Sequence, residues 1–238
     1  MAIAFDAVTV DASSAGRTGP SFAHTCTGTD LTIVVIPMIL ENFGAVRVST
    51  AVSYNGVALT EQVAFSLDGA QADLGGKIWT LDSPATGSNT VAVTYDDAGV
   101  ADAVIVMSFT GANNGVGDAT GSANGTSDNP SATFTTDAST GLIVSGAFIR
   151  GGDAGPFTPG TGVTERADGV TGGSATGDIA YTGGHKAATG GSDTIDFTGG
   201  ASDNWIIGAV ELNEAGGGPA PGIRSLRQLI GHGQGTRD

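Results

Sequence analysis

Two stretches of the chain repeat one pattern of apolar and polar positions, and the remaining segments fall into order around them. In residues 89–113, Val91, Val93 and Tyr95 alternate with Thr90, Ala92 and Thr94; an acidic turn follows at 96–102, and 103–109 is almost wholly apolar. In residues 192–213, Ile195 and Phe197 alternate with Thr194 and Asp196, a Gly-rich turn follows at 199–203, and 205–212 is again nearly continuous apolar sequence. Alternation marks a strand wet on one face, whereas a short unbroken run of β-formers marks a strand covered on both. Each stretch therefore predicts an antiparallel hairpin with one outer and one inner strand.

The same reading applied along the chain predicts strands at 3–10, 21–26, 30–40, 46–54, 57–67 and 74–82 before the first hairpin. In 3–10 the apolar parity changes from Ile3 and Phe5 to Val8 and Val10, which predicts a bulge near Ala7. Pro37 interrupts the apolar run of 30–40 and, lacking an N–H, is expected at an edge or bulge. Asn55-Gly56 separates two runs and predicts a type I′ turn, because both residues tolerate positive φ. Residues 111–130 hold almost no apolar side chains and read as a long loop, of the kind that is functional or mobile. Strands are predicted again at 131–135, 140–150, 160–167, 175–181, 192–197 and 205–213.

Several segments recur in order. Asp30-Leu31-Thr32-Ile33-Val34 matches Thr140-Gly141-Leu142-Ile143-Val144, and Ala58-Leu59-Thr60-Glu61 matches Gly162-Val163-Thr164-Glu165. Lys77-Ile78-Trp79 matches Asp178-Ile179-Ala180-Tyr181 more weakly. The expected fold is all-β, an antiparallel jelly-roll-like β-sandwich with internally duplicated halves, followed by a short C-terminal helical segment. Its domain occupies 1–213.

The succession His24-Thr25-Cys26-Thr27-Gly28, Leu31-Thr32-Ile33-Val34-Val35, Tyr54-Asn55-Gly56-Val57-Ala58-Leu59-Thr60, Ile78-Trp79, Ser83-Pro84-Ala85-Thr86-Gly87, Asn89-Thr90-Val91-Ala92-Val93-Thr94 and Ser108-Phe109-Thr110-Gly111 resembles a jelly-roll or β-sandwich module of bacteriophage structural proteins, also found in some bacterial surface proteins. The resemblance covers most of 20–213. It implies a virion component without chemistry of its own: a head decoration protein, a fibre or a tail accessory.

Composition changes this picture little. The 40 glycines among 238 residues lie well above the average of about 7 % and cluster with Thr, Ser, Asn and Asp between apolar runs, which is turn chemistry and not disorder. A formal charge of −15 opposes nucleic-acid binding, which needs cations against phosphates, and favours solubility. Cys26 is the single cysteine, so no intrachain disulfide forms, and a small buried apolar role is expected for it. The start of the chain carries no charged leader and no run of about 18 apolar residues occurs, so a soluble, unsecreted product with no membrane partner is expected, made in a host cytoplasm and carried in a virion.

Candidate chemistry is sparse. His24, His185 and His232 are far apart in sequence without a His-Glu-x-x-His pair, a lone cysteine builds no thiolate metal site, and no Gly-x-Ser-x-Gly elbow occurs. No cofactor or metal is expected. Glu61 and Glu165 occupy matching places in the two halves; they read either as a glycosidase-like carboxylate pair or as solvated strand residues repeated with the halves. Asp96, Asp97 and Asp102 read either as Ca²⁺ ligands or as turn formers. Gly190-Gly191 and Gly199-Gly200 lack the context of a phosphate loop and read as turns. Trp79 and Trp205 lie within strands and are expected in the core.

The chain changes character after Asn213. Residues 214–222 read as a Gly/Pro linker. The segment 223–238 then carries Ile223, Leu226, Leu229 and Ile230 at helical spacing with Arg224 and Arg227 beside them, and holds three arginines against one aspartate. A basic amphipathic segment on a linker, attached to an acidic body, is expected to dock onto a partner. The alternatives are a disordered end or a helix folded back on its own sandwich. The leading function is a non-enzymatic virion structural protein of a bacteriophage, anchored through that segment or by self-association as a homo-oligomer with other capsid or tail proteins. The alternative is a carbohydrate-binding or adhesion module that takes a glycan.

Overall fold

The computed structural model describes residues 2–215 apart from 43, 70–72, 113–115 and 173–176, and gives backbone alone for 116–118. The first half of the chain supplies β1 (Ala4–Ser13), β2 (Ser21–Cys26), β3 (Thr32–Glu41), β4 (Ser49–Tyr54), β5 (Val57–Ala58), β6 (Thr60–Asp68), β7 (Asp73–Asp82), β8 (Gly87–Tyr95) and β9 (Ala101–Thr110). The second half supplies β10 (Val116–Ser127), β11 (Ser131–Thr135), β12 (Leu142–Arg150), β13 (Thr158–Pro159), β14 (Thr164–Val170), β15 (Ile179–Ala187), β16 (Ser192–Thr198) and β17 (Asp203–Leu212). The described residues are thus all-β, in antiparallel sheets packed face to face.

Each half is a sandwich of its own. An inner sheet of order β1-β9-β3-β7-β6 faces an outer sheet β2-β8-β4-β5, and an inner sheet β10-β17-β12-β15-β14 faces an outer sheet β11-β16-β13. Matching strands occupy matching places, so the duplication read from sequence extends to sheet order. The two inner sheets then pack on each other, giving four layers. One apolar layer, holding Val34, Ile36, Ile105 and Phe109 with Val144, Phe148, Ile206 and Val210, lies between the inner sheets. A second separates the first half's sheets (Ile33, Val35, Val104 and Val106 with Val52, Val91 and Val93), and a third the second half's (Ile143, Ala147 and Ile207 with Ile195 and Phe197). This stacking is why β3, β9, β12 and β17 are apolar without alternation: both faces of these central strands are covered.

Contacts between the halves are reciprocal, apart from that of β6 on β17. β6 lies against β10 and β17, while β14 lies against β1; β7 meets β17 as β15 meets β9, and β3 crosses β12. That is the pattern of an isologous dimer interface formed within one chain.

The local expectations fared unevenly. β1 shifts register between Phe5 and Ala7, so Asp6 is the bulged residue. Asn55 and Gly56 take φ of 50° and 76° and join β4 to β5, as a type I′ turn requires. The expected hairpins of 89–113 and 192–213 are not hairpins. β8 and β16 pair within outer sheets and β9 and β17 within inner ones, so the acidic and Gly-rich turns carry the chain between layers. Sequence registers how many faces of a strand are covered, and it registered that correctly; pairing partners lie elsewhere in the chain. The run 57–67 likewise divides, β5 in the outer sheet and β6 in the inner one, with Leu59 buried at the crossing.

Pro37 is neither at an edge nor at a bulge. It lies in the central inner strand β3 opposite Val104 of β9, and the β3–β7 ladder is interrupted there between Val35–Trp79 and Met38–Gly76. The missing N–H is accommodated by omitting rungs on one side. Residues 111–130 are a further correction, because β10 occupies 116–127 as an edge strand on β17. Its small residues are a packing demand: a Cβ on Gly121 would overlap the Phe134 ring, and one on Gly125 would lie 2.8 Å from the Trp205 ring. The expected C-terminal segment at 223–238, and the end of the linker before it, lie outside the described residues.

Candidate functional site

A polar cluster of histidine, serine and carboxylate sits where β1, β2 and β9 meet. Bulging at Asp6 turns its carboxylate toward the β2 end, where it accepts the Thr27 N–H at 2.9 Å and the Thr27 hydroxyl. Ser108 of β9, fully buried, donates its hydroxyl to Asp6 Oδ2 at 2.7 Å. His24 Nε2 lies 3.2 Å from Ser108 Oγ, and His24 Nδ1 lies 2.9 Å from Thr9 Oγ1. Burial holds His24 down to about 4, so the ring is neutral near pH 7 and has one N–H. Burial also opposes ionisation of Asp6, but the bonds from Thr27 and Ser108 outweigh it and keep the carboxyl below its usual range. Proton counting then assigns every partner. Ser108 spends its hydrogen on Asp6, His24 Nε2–H donates to Ser108, and Thr9 donates to His24 Nδ1.

The three residue types are those of a nucleophilic triad, but their order is different. In a triad the imidazole stands between hydroxyl and carboxylate and draws the hydroxyl proton toward itself. Here the serine stands between, its proton points at the carboxylate, and its oxygen is covered. Such an array fastens strands and a loop to one another; it does not activate Ser108.

On the opposite face of the same β1–β9 pair lies a second cluster. Phe5, paired with Phe109, stacks on His185 of β15 with ring centroids 6.0 Å apart, and Phe109 meets His185 edge-on at 5.6 Å. Arg166, bulged out of β14 between Glu165 and Ala167, lays its guanidinium 3.9 Å from the Phe5 ring centre and directs Nε to His185 Nδ1 at 3.5 Å. Burial, reinforced by Arg166, lowers His185 to about 4. The second half is therefore joined to the first at this seam by a cation and an imidazole ring placed against Phe5.

The remaining candidates are engaged locally. Glu61 lies opposite Trp79 and Glu165 opposite Gly184, matching register positions next to matching bulges, but each belongs to its own half's edge strand. Glu61 accepts from Lys77 Nζ at 2.8 Å; Glu165 accepts from the Thr182 hydroxyl at 2.8 Å, and burial pushes its carboxyl up. Asp96 accepts the N–H groups of Val48 and Asp97 at 3.1 and 3.0 Å, Asp97 pairs with Arg47, and buried Asp102 is gripped by Arg17, which also holds Asp11 at 2.7 Å. Among the described residues no group of three or more His, Cys, Asp or Glu could hold a metal ion. Cys26 is buried, and burial raises its thiol. Trp79 and Trp205 are buried, each giving its indole N–H to a serine, Ser49 and Ser127, at 2.8 Å. Gly190 has φ of 73°, as a turn demands. His232 and the expected docking residues Ile223, Arg224, Leu226, Arg227, Leu229 and Ile230 lie outside the described residues.

Sequence reasoning passed over Asp6, Ser108, Phe5 and Arg166. One signal was available for Asp6, since the parity change in the first strand falls on it. For the others nothing local distinguishes them from ordinary strand residues. Compared with protein-family models, with curated proteins and with solved structures, the chain matches none.

Proposed function

We propose that this protein is a non-enzymatic structural component of a bacteriophage virion, a capsid decoration, fibre or tail accessory protein, held in place by its C-terminal segment and by self-association. The observation that carries this reading is the contrast between body and tail. The body is a four-layered acidic block whose carboxylates and histidines hold loops and strands, as Asp6, Asp193 and Glu211 do. The tail, after a Gly/Pro linker, offers Ile223, Leu226, Leu229 and Ile230 beside Arg224 and Arg227.

Each half is read as a jelly roll. With β5 and β6 counted as one strand that changes sheets, the order first-eighth-third-sixth-fifth against second-seventh-fourth in both halves supports this. Glycan binding is the weaker alternative, because both tryptophans, the best stacking platforms, face inward.

A buried apolar side chain contributes about 1.5–3 kcal/mol, so four on the tail form a useful contact that repetition around an assembly strengthens through avidity. Deleting 216–238 is expected to leave the folded body with unchanged melting while abolishing incorporation into particles. Normal incorporation of the truncated chain would overturn the anchoring role.

A further inference from the structure

Edge strand β1 has a ladder with β9 on one side; Asp11 near its end pairs with Arg17, which also grips Asp102 of β9, and the attachments of Phe5, Asp6 and Thr9 converge on two histidines from different layers. On the outer face His24 of β2 accepts from Thr9 and, through Ser108, orients the bond to Asp6. On the inner face His185 of β15 stacks on Phe5 beneath Arg166 of β14. The charged and titratable groups facing His24 are Asp6 from β1, Tyr54 from β4 and Cys26 on β2 itself, with the hydroxyls of Thr9 and Ser108. Facing His185 are the Arg166 guanidinium and the rings of Phe5 and Phe109.

Each site accepts a neutral imidazole and is disturbed by a protonated one. A charged His24 would be buried among hydroxyls with no carboxylate in contact, and a charged His185 would stand against Arg166 with aromatic faces elsewhere.

We propose that β1 is an acid-released latch: protonation of His24 and His185 frees it from β9, opening the seam between the two halves while the inner strands stay paired. The direction follows from linkage. With β1 released, both imidazoles regain solvent and move back toward the ordinary value near 6.5. In the latched form both are held to about 4. Below pH 6.5 the released form binds more protons, so latching is complete above that value and is lost progressively down to about pH 4. The ceiling is roughly tenfold per pH unit for each histidine.

Hydrogen exchange of the full chain at pH 7 and pH 4.5, corrected for the intrinsic pH dependence of exchange, tests this. Protection of the β1 amides is expected to fall at least about tenfold relative to those of β3 and β12. His185→Phe, which keeps the stacked ring, and His24→Gln should each remove about half of the pH dependence. Arg166→Gln should end the transition at higher pH, because a neutral glutamine no longer opposes protonation of His185. Unchanged β1 protection, parallel loss in β1, β3 and β12, or a pH dependence undiminished in both histidine variants would each overturn the latch.

Discussion

The two inner sheets are copies of one design, yet where they meet they are opposites. Aligning 30–34 with 140–144 gives Ile36 and Gly146 the same place in β3 and β12; Ile36 lies opposite Ile105, and Gly146 opposite Gly208 and Gly183. One sheet thus presents bulky side chains, and the other a row of three glycines across neighbouring strands. The fit is direct. A Cβ on Gly146 would lie 3.0 Å from Ile36, one on Gly183 3.1 Å from Ile105, and one on Gly208 would overlap Phe65. Near a two-fold axis a residue meets its own counterpart, so two isoleucines would collide and two glycines would leave a void. Divergence of the copies into knob and hole resolves both problems at close-packed density.

The same complementarity recurs inside each half. Thr9 lies opposite Val106 and Gly121 opposite the matching Ala209; Thr9 bonds His24, whereas Gly121 receives the ring of Phe134. Ser108 lies opposite Ile33 and Glu211 opposite Ile143. The residue matching Gly141 is the buried Leu31, whereas a Cβ on Gly141 itself would lie 2.5 Å from Glu211 Oε1. Both arrangements hold the loop that leaves the second strand, by Asp6 on Thr27 in one half and by Glu211 on the N–H groups of Asp137 and Ala138, at 2.8 and 3.0 Å, in the other. The backbone plan is shared while the side-chain solution is local, and large is always set against small.

The first way to break this comparison is to remove its knob or fill its hole. Ile36→Ala is expected to lower stability by about 3–5 kcal/mol through the cavity, and Gly146→Val by about 3 kcal/mol through overlap. Combined in denaturant unfolding, they should cost less than their sum by at least about 1 kcal/mol; additivity would show that the two residues are not in contact.

Trp205→Ala and Trp79→Ala should each cost about 3–5 kcal/mol, since either creates a large cavity and strands a serine. Acrylamide quenching that reached either indole as readily as a free one would place it outside the core.

Transplanting one half's solution into the other sharpens the comparison. Glu211→Ser alone and Gly141→Leu alone should each destabilise by about 2–3 kcal/mol, the first by removing the acceptor of two backbone N–H groups and the second by overlap. The double variant should recover at least about 1 kcal/mol of the sum. The smallest effect is expected at the β4–β5 turn. Gly56→Ala meets no atom within 4 Å, so only its positive φ is penalised, by about 1 kcal/mol in thermal melting.

Much of the fold follows from residue order alone. Alternating and unbroken apolar runs distinguish outer strands from inner ones, Asn55-Gly56 defines its turn, the parity change at Asp6 marks its bulge, and 30–34 against 140–144 reveals the duplication. These features are local, and period, turn chemistry and self-similarity register them. The weak match of Lys77-Ile78-Trp79 to 178–181 failed because register places Trp79 with Gly184, both opposite matching residues of the central strands, Val35 and Ser145. β10 escaped notice because its small residues record the rings of Phe134 and Trp205, which come from other strands. The glycines inside β12, β15 and β17 were legible as close approaches, but not what approaches them. Which sheets pair, which half supplies the knob, and that Ser108 stands between His24 and Asp6 are decided by contacts between residues distant in the chain, and only packing brings those together.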